Sequence, residues 1–233
     1  MRKFFVKIKK LIKNEEGVIL VNIKKCMVLA LIVCAMLAGC TDKSNDVSDI
    51  SDLVPEGWNI VEKVEGDLNK DNIDDIAVVI EGTSEAEDEA SNRELLIAFG
   101  NKDGTYTLST KAEKAILRAD EGGVWGDPFE GISIDNGSLL ISFYGGSNWR
   151  WYGNYRFRYQ DNDWYLIGAT IGSFHTSTNE YTQEMDYNLL TGEYIEKKAD
   201  ENGVIKTTKG NRGKRDLLKL KDFISVDGEE NIK

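Results

Sequence analysis

Oxygen-bearing side chains recur at alternate positions from Asp67: Asp67, Asn69 and Asp71, then Ile73, which offers only its carbonyl, and Asp75. Ca²⁺ takes six to eight oxygen ligands, and a short loop supplies them from alternate residues. With Asp67 as the first ligand, Asn72 falls at the sixth place, where the chain must turn sharply; Asn is among the residue types that tolerate positive φ. An EF-hand would close with Glu at the twelfth place and continue as a helix. This chain has Val78 there, inside Ile76-Ala77-Val78-Val79-Ile80. That β-branched run predicts a buried strand. The expectation is a loop wrapped around a structural Ca²⁺ and emptying into a strand, with Asp74 outside the alternating set.

Three further stretches carry groups capable of chemistry. Arg118 to Glu130 holds Asp120, Glu121, Asp127 and Glu130 together with Trp125 and Phe129. Two such carboxylates could do acid–base work on a glycosidic bond, although nothing in their spacing fixes a pair. Gly145 to Gly153 sets Trp149, Arg150, Trp151 and Tyr152 in a Gly-rich stretch, read as a loop. Aromatic faces beside a guanidinium suit stacking against a sugar ring or a peptide; packing on the core is the competing reading. His175 is the single histidine, in a Ser/Thr-rich segment. Zinc needs three or four N, S or O ligands, and a Ser-His-Asp triad needs a presented serine; neither accompanies it. A basic segment, Lys206 to Lys221, stands apart in an acidic chain and suits an anionic surface or the balancing of an acidic face.

GDLNKDNIDDIAVVI (Gly66 to Ile80) followed by LLIAFGNKDGTYTLS (Leu95 to Ser109) resembles one unit of the FG-GAP/VCBS repeat of integrin-α-type propellers. The resemblance implies that Asp67, Asn69, Asp71 and Asp75 are side-chain ligands of Ca²⁺ and that Ile73 supplies a carbonyl. Asn72 stands where that family prefers Gly. The unit occurs once, so a whole propeller is not expected, because repeat folds need several stacked copies.

Met27 to Ala38 is a short apolar run behind Lys24-Lys25, the pattern of a signal peptide and too short for a spanning helix. It ends in Leu37-Ala38-Gly39-Cys40, which resembles the lipobox of bacterial lipoproteins. The resemblance implies cleavage before Cys40, acylation of its thiol and a membrane anchor on the outer face of the cell membrane. The chain as a whole resembles a group of Firmicute lipoproteins, which implies a location and no particular activity. Residues 1–23 exceed an ordinary n-region, and Glu15-Glu16-Gly17-Val18 corresponds to purine-rich codons, pointing to a start at Val21. Residues 1–39 are therefore expected to be signal peptide, 40–54 a lipidated flexible tether, and 55–233 one β-rich domain. Beyond residue 39 the chain keeps 21 basic against 38 acidic side chains. Nucleic acid is excluded as a partner, because it demands a basic footprint. With Cys26 and Cys34 in the leader and Cys40 acylated, no disulfide is expected.

The elements that must hold these groups are strands. Alternating or β-branched runs fall at Trp58–Glu65, 76–80, 95–99, 105–109, 131–134, 139–144, 155–159, 164–171, 185–190, 193–197 and 204–208. Turn signals separate them, such as Asn101-Lys102-Asp103-Gly104, Asp135-Asn136-Gly137-Ser138, Asp161-Asn162-Asp163 and Thr191-Gly192. Short helices are conceivable only at 111–118 and 216–223, and Gly82 to Asn92 reads as an acidic loop. The expected fold is mainly β: an antiparallel meander, sandwich or partial-propeller-like domain. The expected function is a lipid-anchored module with a structural Ca²⁺ that binds a cell-wall, carbohydrate or protein partner through Trp149 to Tyr152. A carboxylate-dependent extracytoplasmic hydrolase is the alternative.

Overall fold

Twelve strands among the described residues fall into two antiparallel sheets, in which consecutive strands pair except that the first, short strand pairs with the fifth. The structure is a computed structural model and describes residues 46–83, 90–178, 182–200 and 202–232. The expected signal peptide, Cys40 and the lipobox lie outside the described residues. Among the described residues no helix is long and apolar enough to cross a membrane.

The first sheet contains β1 (Asp46–Val47), β2 (Asn59–Gly66), β3 (Asp75–Glu81), β4 (Arg93–Gly100) and β5 (Tyr106–Ala112), in the order β1-β5-β4-β3-β2. The second runs β6 (Phe129–Asp135), β7 (Ser138–Gly146), β8 (Trp149–Gln160), β9 (Asp163–His175), β10 (Gln183–Asn188), β11 (Glu193–Ala199) and β12 (Ile205–Asn211), each paired with the next. Period-two alternation explains the packing. Leu139, Ile141 and Phe143 of β7 and Tyr155 and Phe157 of β8 face Ala77, Val79, Leu95 and Ile97 of the first sheet across one core. Trp164 is 1 % exposed, and its indole N–H donates to Ser109 Oγ at 2.9 Å, tying the two sheets together.

β3 and β4 are buried on both faces, which is why they read as unbroken apolar runs rather than alternating ones. Their far face, Ile76, Val78, Ile80, Leu96 and Ala98, is covered by Ile50 with Leu53, Val54 and Trp58. The expected tether is therefore folded from Asp46 onward. β1 pairs with β5, and the 3-10 turn Ile50–Leu53, capped by Asp49, buries Ile50. Its small polar residues hid one apolar anchor per turn.

Two other expectations are corrected. Residues 111–118 form no helix; Lys111 and Ala112 complete β5. In 216–223 only Leu220–Asp222 makes a 3-10 turn. This C-terminal segment instead closes the sandwich, with Phe223 against Tyr155 and Phe157 at ring distances of 4.9 and 5.1 Å.

Candidate functional site

The acidic loop, 67–74, links β2 to β3 and is folded by its own side chains. Asp67 Oδ1 accepts from the amides of Lys70 (2.6 Å) and Asp71 (3.2 Å), and Oδ2 from that of Asn72 (3.0 Å). Asn69 Oδ1 accepts from Asp71 N at 2.9 Å, and Asp71 Oδ1 from Ile73 N at 2.8 Å. Lys70 and Asn72 both adopt positive φ, 68° and 66°. The expected turn at Asn72 is thus present and is shared with Lys70.

Asp75 departs from the expectation of a ligand at the loop's end. It is fully buried, and its carboxylate turns into the fold. Oδ2 accepts from Leu68 N (2.8 Å) and Asn69 N (3.0 Å), and Oδ1 from Gly100 N (3.0 Å). These bonds fasten the start of the loop to the end of β4 and seat Leu68, 0 % exposed, in the core. Gly100 permits the approach: a Cβ there would lie 2.3 Å from the Asp74 carbonyl oxygen. Burial pushes the Asp75 carboxyl above its ordinary range, and the three amides act in the opposite sense. Among the described residues no three carboxylate, imidazole or thiolate groups converge as a metal site. The donor set that fits a hard cation in chemistry is smaller than expected: Asp67, Asn69 and Asp71, with the Ile73 carbonyl. Each of these side chains lies at the surface or half-buried and keeps lone pairs beyond those its amide bonds use.

The second candidate, expected as a Gly-rich loop from 145 to 153, is the tip of a long β7–β8 hairpin. Gly145 pairs with Trp151 and Gly146 with Arg150, leaving Ser147, Asn148 and Trp149 at the tip, where Ser147 N donates to the Trp149 carbonyl at 2.9 Å. Strand alternation splits the four predicted residues between two faces. Trp151 turns inward over Gly145, where a Cβ would come within 2.5 Å of its ring, and packs on the core. Tyr152 turns outward and lies across Gly172, where a Cβ would meet its ring at 2.1 Å. Its hydroxyl donates to Glu184 at 2.6 Å, and Lys197 holds Glu184 at 2.7 Å. Burial and this bond push the Tyr152 hydroxyl up, while the lysine and the tyrosine hold Glu184 down. Trp151 and Tyr152 are therefore committed to packing.

Trp149 and Arg150 remain at the surface, and the preceding loop joins them. Residues 122–126 lie against the hairpin, with Gly146 N donating to the Gly122 carbonyl at 2.8 Å. This places Trp125 edge-on to Tyr144 (4.9 Å) and under the Arg150 guanidinium (4.6 Å). Trp149 sits edge-on to His175 at 5.0 Å, so His175 is the last residue of β9 and a ring contact. Trp125 is 48 % exposed and Trp149 49 %. Strand alternation puts Arg150 on the outer face with Tyr152, where Trp125 stacks on it, and Trp149 on the side of Trp151, against His175. Trp125 and Tyr144 were not singled out as ligand-binding residues in the sequence. The available signal was the pair of glycine doublets, Gly122-Gly123 and Gly145-Gly146, which let two backbones touch.

The loop carboxylates are held by arginines. Arg93 is buried and grips both oxygens of Asp127 at 2.7 Å while donating to Glu81 at 2.8 Å. The guanidinium holds the Asp127 carboxyl below its ordinary range. Glu121 accepts from Arg118 N at 2.7 Å and lies 3.6 Å from its guanidinium, and Asp120 is 3.5 Å from the same group. A cleft of about 320 Å³ does unite Glu121 with Trp151 and Tyr152, and Glu121 is the one carboxylate lining it among the described residues. A general acid needs a raised carboxyl. Asp127 is lowered, and Glu121 and Asp120 lie against Arg118.

No protein-family model, curated protein or solved structure matches this chain.

Proposed function

We propose that this chain is a lipid-anchored, extracytoplasmic binding module that holds a glycan of the cell envelope on the platform formed by Trp125, Tyr144 and Arg150. The observation that carries this reading is the half-exposed Trp125 indole stacked under the Arg150 guanidinium and edge-on to Tyr144, on a two-stranded support. An aromatic face stacks on the apolar face of a pyranose, and the guanidinium donates to hydroxyls or a uronate. The anchor would be Cys40, acylated after cleavage at the lipobox. A Ca²⁺ held by Asp67, Asn69, Asp71 and the Ile73 carbonyl would stiffen the β2–β3 loop, and Asp75 fixes that loop to the core. The ion supplies charge neutralisation among the carboxylates.

The reading is tested by co-sedimentation with purified cell wall and with insoluble neutral polysaccharides. Retention of the wild-type protein is expected, with loss of about tenfold in affinity for Trp125→Ala or Arg150→Ala, the equivalent of about 1.4 kcal/mol. A wild-type protein that stays in the supernatant, or two variants that sediment as it does, would refute it. Incorporation of labelled fatty acid that persists in Cys40→Ala would refute the anchor.

A further inference from the structure

A second site lies at the opposite edge of the larger sheet and is independent of the platform. Residues 205–221 carry seven Lys or Arg and one carboxylate, Asp216, within a strongly acidic chain. Two of these cations are neutralised: Lys206 by Asp200 at 3.1 Å and Lys219 by Asp163 at 2.6 Å. Arg212 and Arg215 make no ion pair among the described residues, and both line a cavity of about 110 Å³. The cavity is built by a close backbone approach. Arg212 N donates to the Gly192 carbonyl at 2.8 Å, and a Cβ on Gly192 would lie 2.2 Å from the Gly213 carbonyl oxygen. Two glycines thus clamp the start of the C-terminal segment onto the β10–β11 turn.

The lining has two characters. Leu189, Leu218 and Ile232 make an apolar floor, and the Tyr187 ring makes a wall. Arg212 lies over the rings of Tyr187 and Tyr194, at 4.8 and 5.2 Å. Tyr187 is 4 % exposed, and its hydroxyl has no hydrogen-bond partner among the described residues. Burial pushes this hydroxyl up, and the nearby Arg212 guanidinium acts in the opposite sense. A buried donor left unmet is costly. Two unpaired guanidiniums over an apolar floor suit a planar oxyanion, which accepts two parallel N–H bonds. Asp216, also on the lining, disfavours a second negative charge.

We propose that this cavity binds a monocarboxylate carried on a short apolar stem, with Arg212 and Arg215 on the carboxylate and the stem on Leu189, Leu218 and Ile232. Such a group occurs as a free short-chain acid or as the C-terminal residue of a peptide. The test is a titration of the isotope-labelled full chain, followed by the backbone amide shifts of residues 189–192 and 212–218. The probes are hexanoate, N-acetyl-leucine, N-acetyl-leucinamide and inorganic phosphate, up to about 10 mM, since so few contacts imply millimolar affinity. Saturable shifts confined to these residues are expected with the carboxylates. The amide should bind about tenfold more weakly or not at all, as should N-acetyl-leucine to Arg215→Gln. Arg215 is exposed and unpaired, so that variant keeps the fold, and Tyr187→Phe should weaken binding a few-fold without altering it. Binding of N-acetyl-leucine without hexanoate assigns a peptide end, and binding of both assigns the free acid. No shift with either carboxylate, equal binding of the amide, or tighter binding of phosphate overturns the proposal. None of these readouts involves Trp125 or Arg150, so the site stands or falls apart from the glycan platform.

Discussion

Replacing Asp75 by Asn separates the two roles an acidic residue at the end of a metal-type loop can have. The wild-type carboxylate accepts three backbone N–H bonds, at 2.8, 3.0 and 3.0 Å, in a site with no exposure. An amide keeps the shape and one oxygen. If that oxygen keeps Leu68 and Asn69, the new NH₂ faces the Gly100 N–H, and two donors oppose each other. An unmet buried donor costs about 1–3 kcal/mol, and two charge-assisted bonds reduced to neutral ones lose about 1 kcal/mol each. Removing a buried charge returns part of this, because burial already pushes the Asp75 carboxyl up. The net expectation is a loss of about 2–4 kcal/mol, a large share of the 5–15 kcal/mol typical of a domain. Urea unfolding at neutral pH measures it, with the slope checked for two-state behaviour. A scaffold role makes the loss equal in calcium and in EGTA. Asp71→Asn, which touches only the exposed loop, should lose stability in calcium alone. A loss below about 1 kcal/mol for Asp75→Asn in EGTA would refute the reasoning.

Other outcomes follow from the same contacts. Addition of millimolar calcium should raise the melting temperature and EGTA should reverse the gain, the range in which extracellular modules bind the ion; an unchanged calorimetric trace would remove the ion from the loop. Arg93→Met leaves Asp127 and Glu81 without their shared cation and should cost about 2–4 kcal/mol in denaturant unfolding, since the guanidinium is buried. Asp127, Asp163 and Glu184 are held low by Arg93, Lys219 and Lys197, so their stabilisation is present above the unfolded values near 3.9–4.3 and is lost as pH falls through the folded ones. Asp75 is held high, so its contribution has the opposite sign and is lost as pH rises above about 3.9. Calorimetry between pH 5 and 2 should show a net fall in melting temperature that Asp127→Asn reduces. Gly172→Ala should cost about 1–3 kcal/mol by pushing the Tyr152 ring off the sheet, and little in a Tyr152→Ala background, which a double-mutant cycle reads directly.

The strands were legible because their signal is local. Ile76 to Ile80, Tyr155 to Tyr159 and Trp164 to Ile171 each lie inside an observed strand, and turns such as Asp135 to Gly137 fixed where hairpins close. What remained hidden depended on distant residues. Nothing near Asp75 announces that its carboxylate meets Gly100, because that contact is made by the neighbouring strand. The Trp149 to Tyr152 segment was grouped by composition, whereas strand alternation sends Trp151 to the core and Tyr152 to the outer face. Ser, Asp and Asn between 41 and 53 read as a tether, yet Ile50 and Leu53 close the outer face of β3 and β4.

A single device recurs across the larger sheet and explains why its glycines looked like loop signals. Trp151 lies over Gly145, Tyr152 over Gly172, and Tyr194 over Gly210, where added Cβ atoms would meet the rings at 2.5, 2.1 and 2.6 Å. Glycine ordinarily weakens a strand by chain entropy and by leaving nothing to pack. Here each absent side chain is replaced by a flat aromatic ring from the next strand, so the sheet gains cross-strand contact where it would lose it. The ring that covers Gly172 also carries the hydroxyl that Glu184 and Lys197 fix in place. Three strands beside the hairpin are thereby locked in register. The tip holding Trp149 and Arg150 is consequently the end of a stiff ribbon rather than a free loop. On the proposed reading, stiffness of that kind lowers the entropy that the Trp125–Arg150 platform would lose on taking up a glycan.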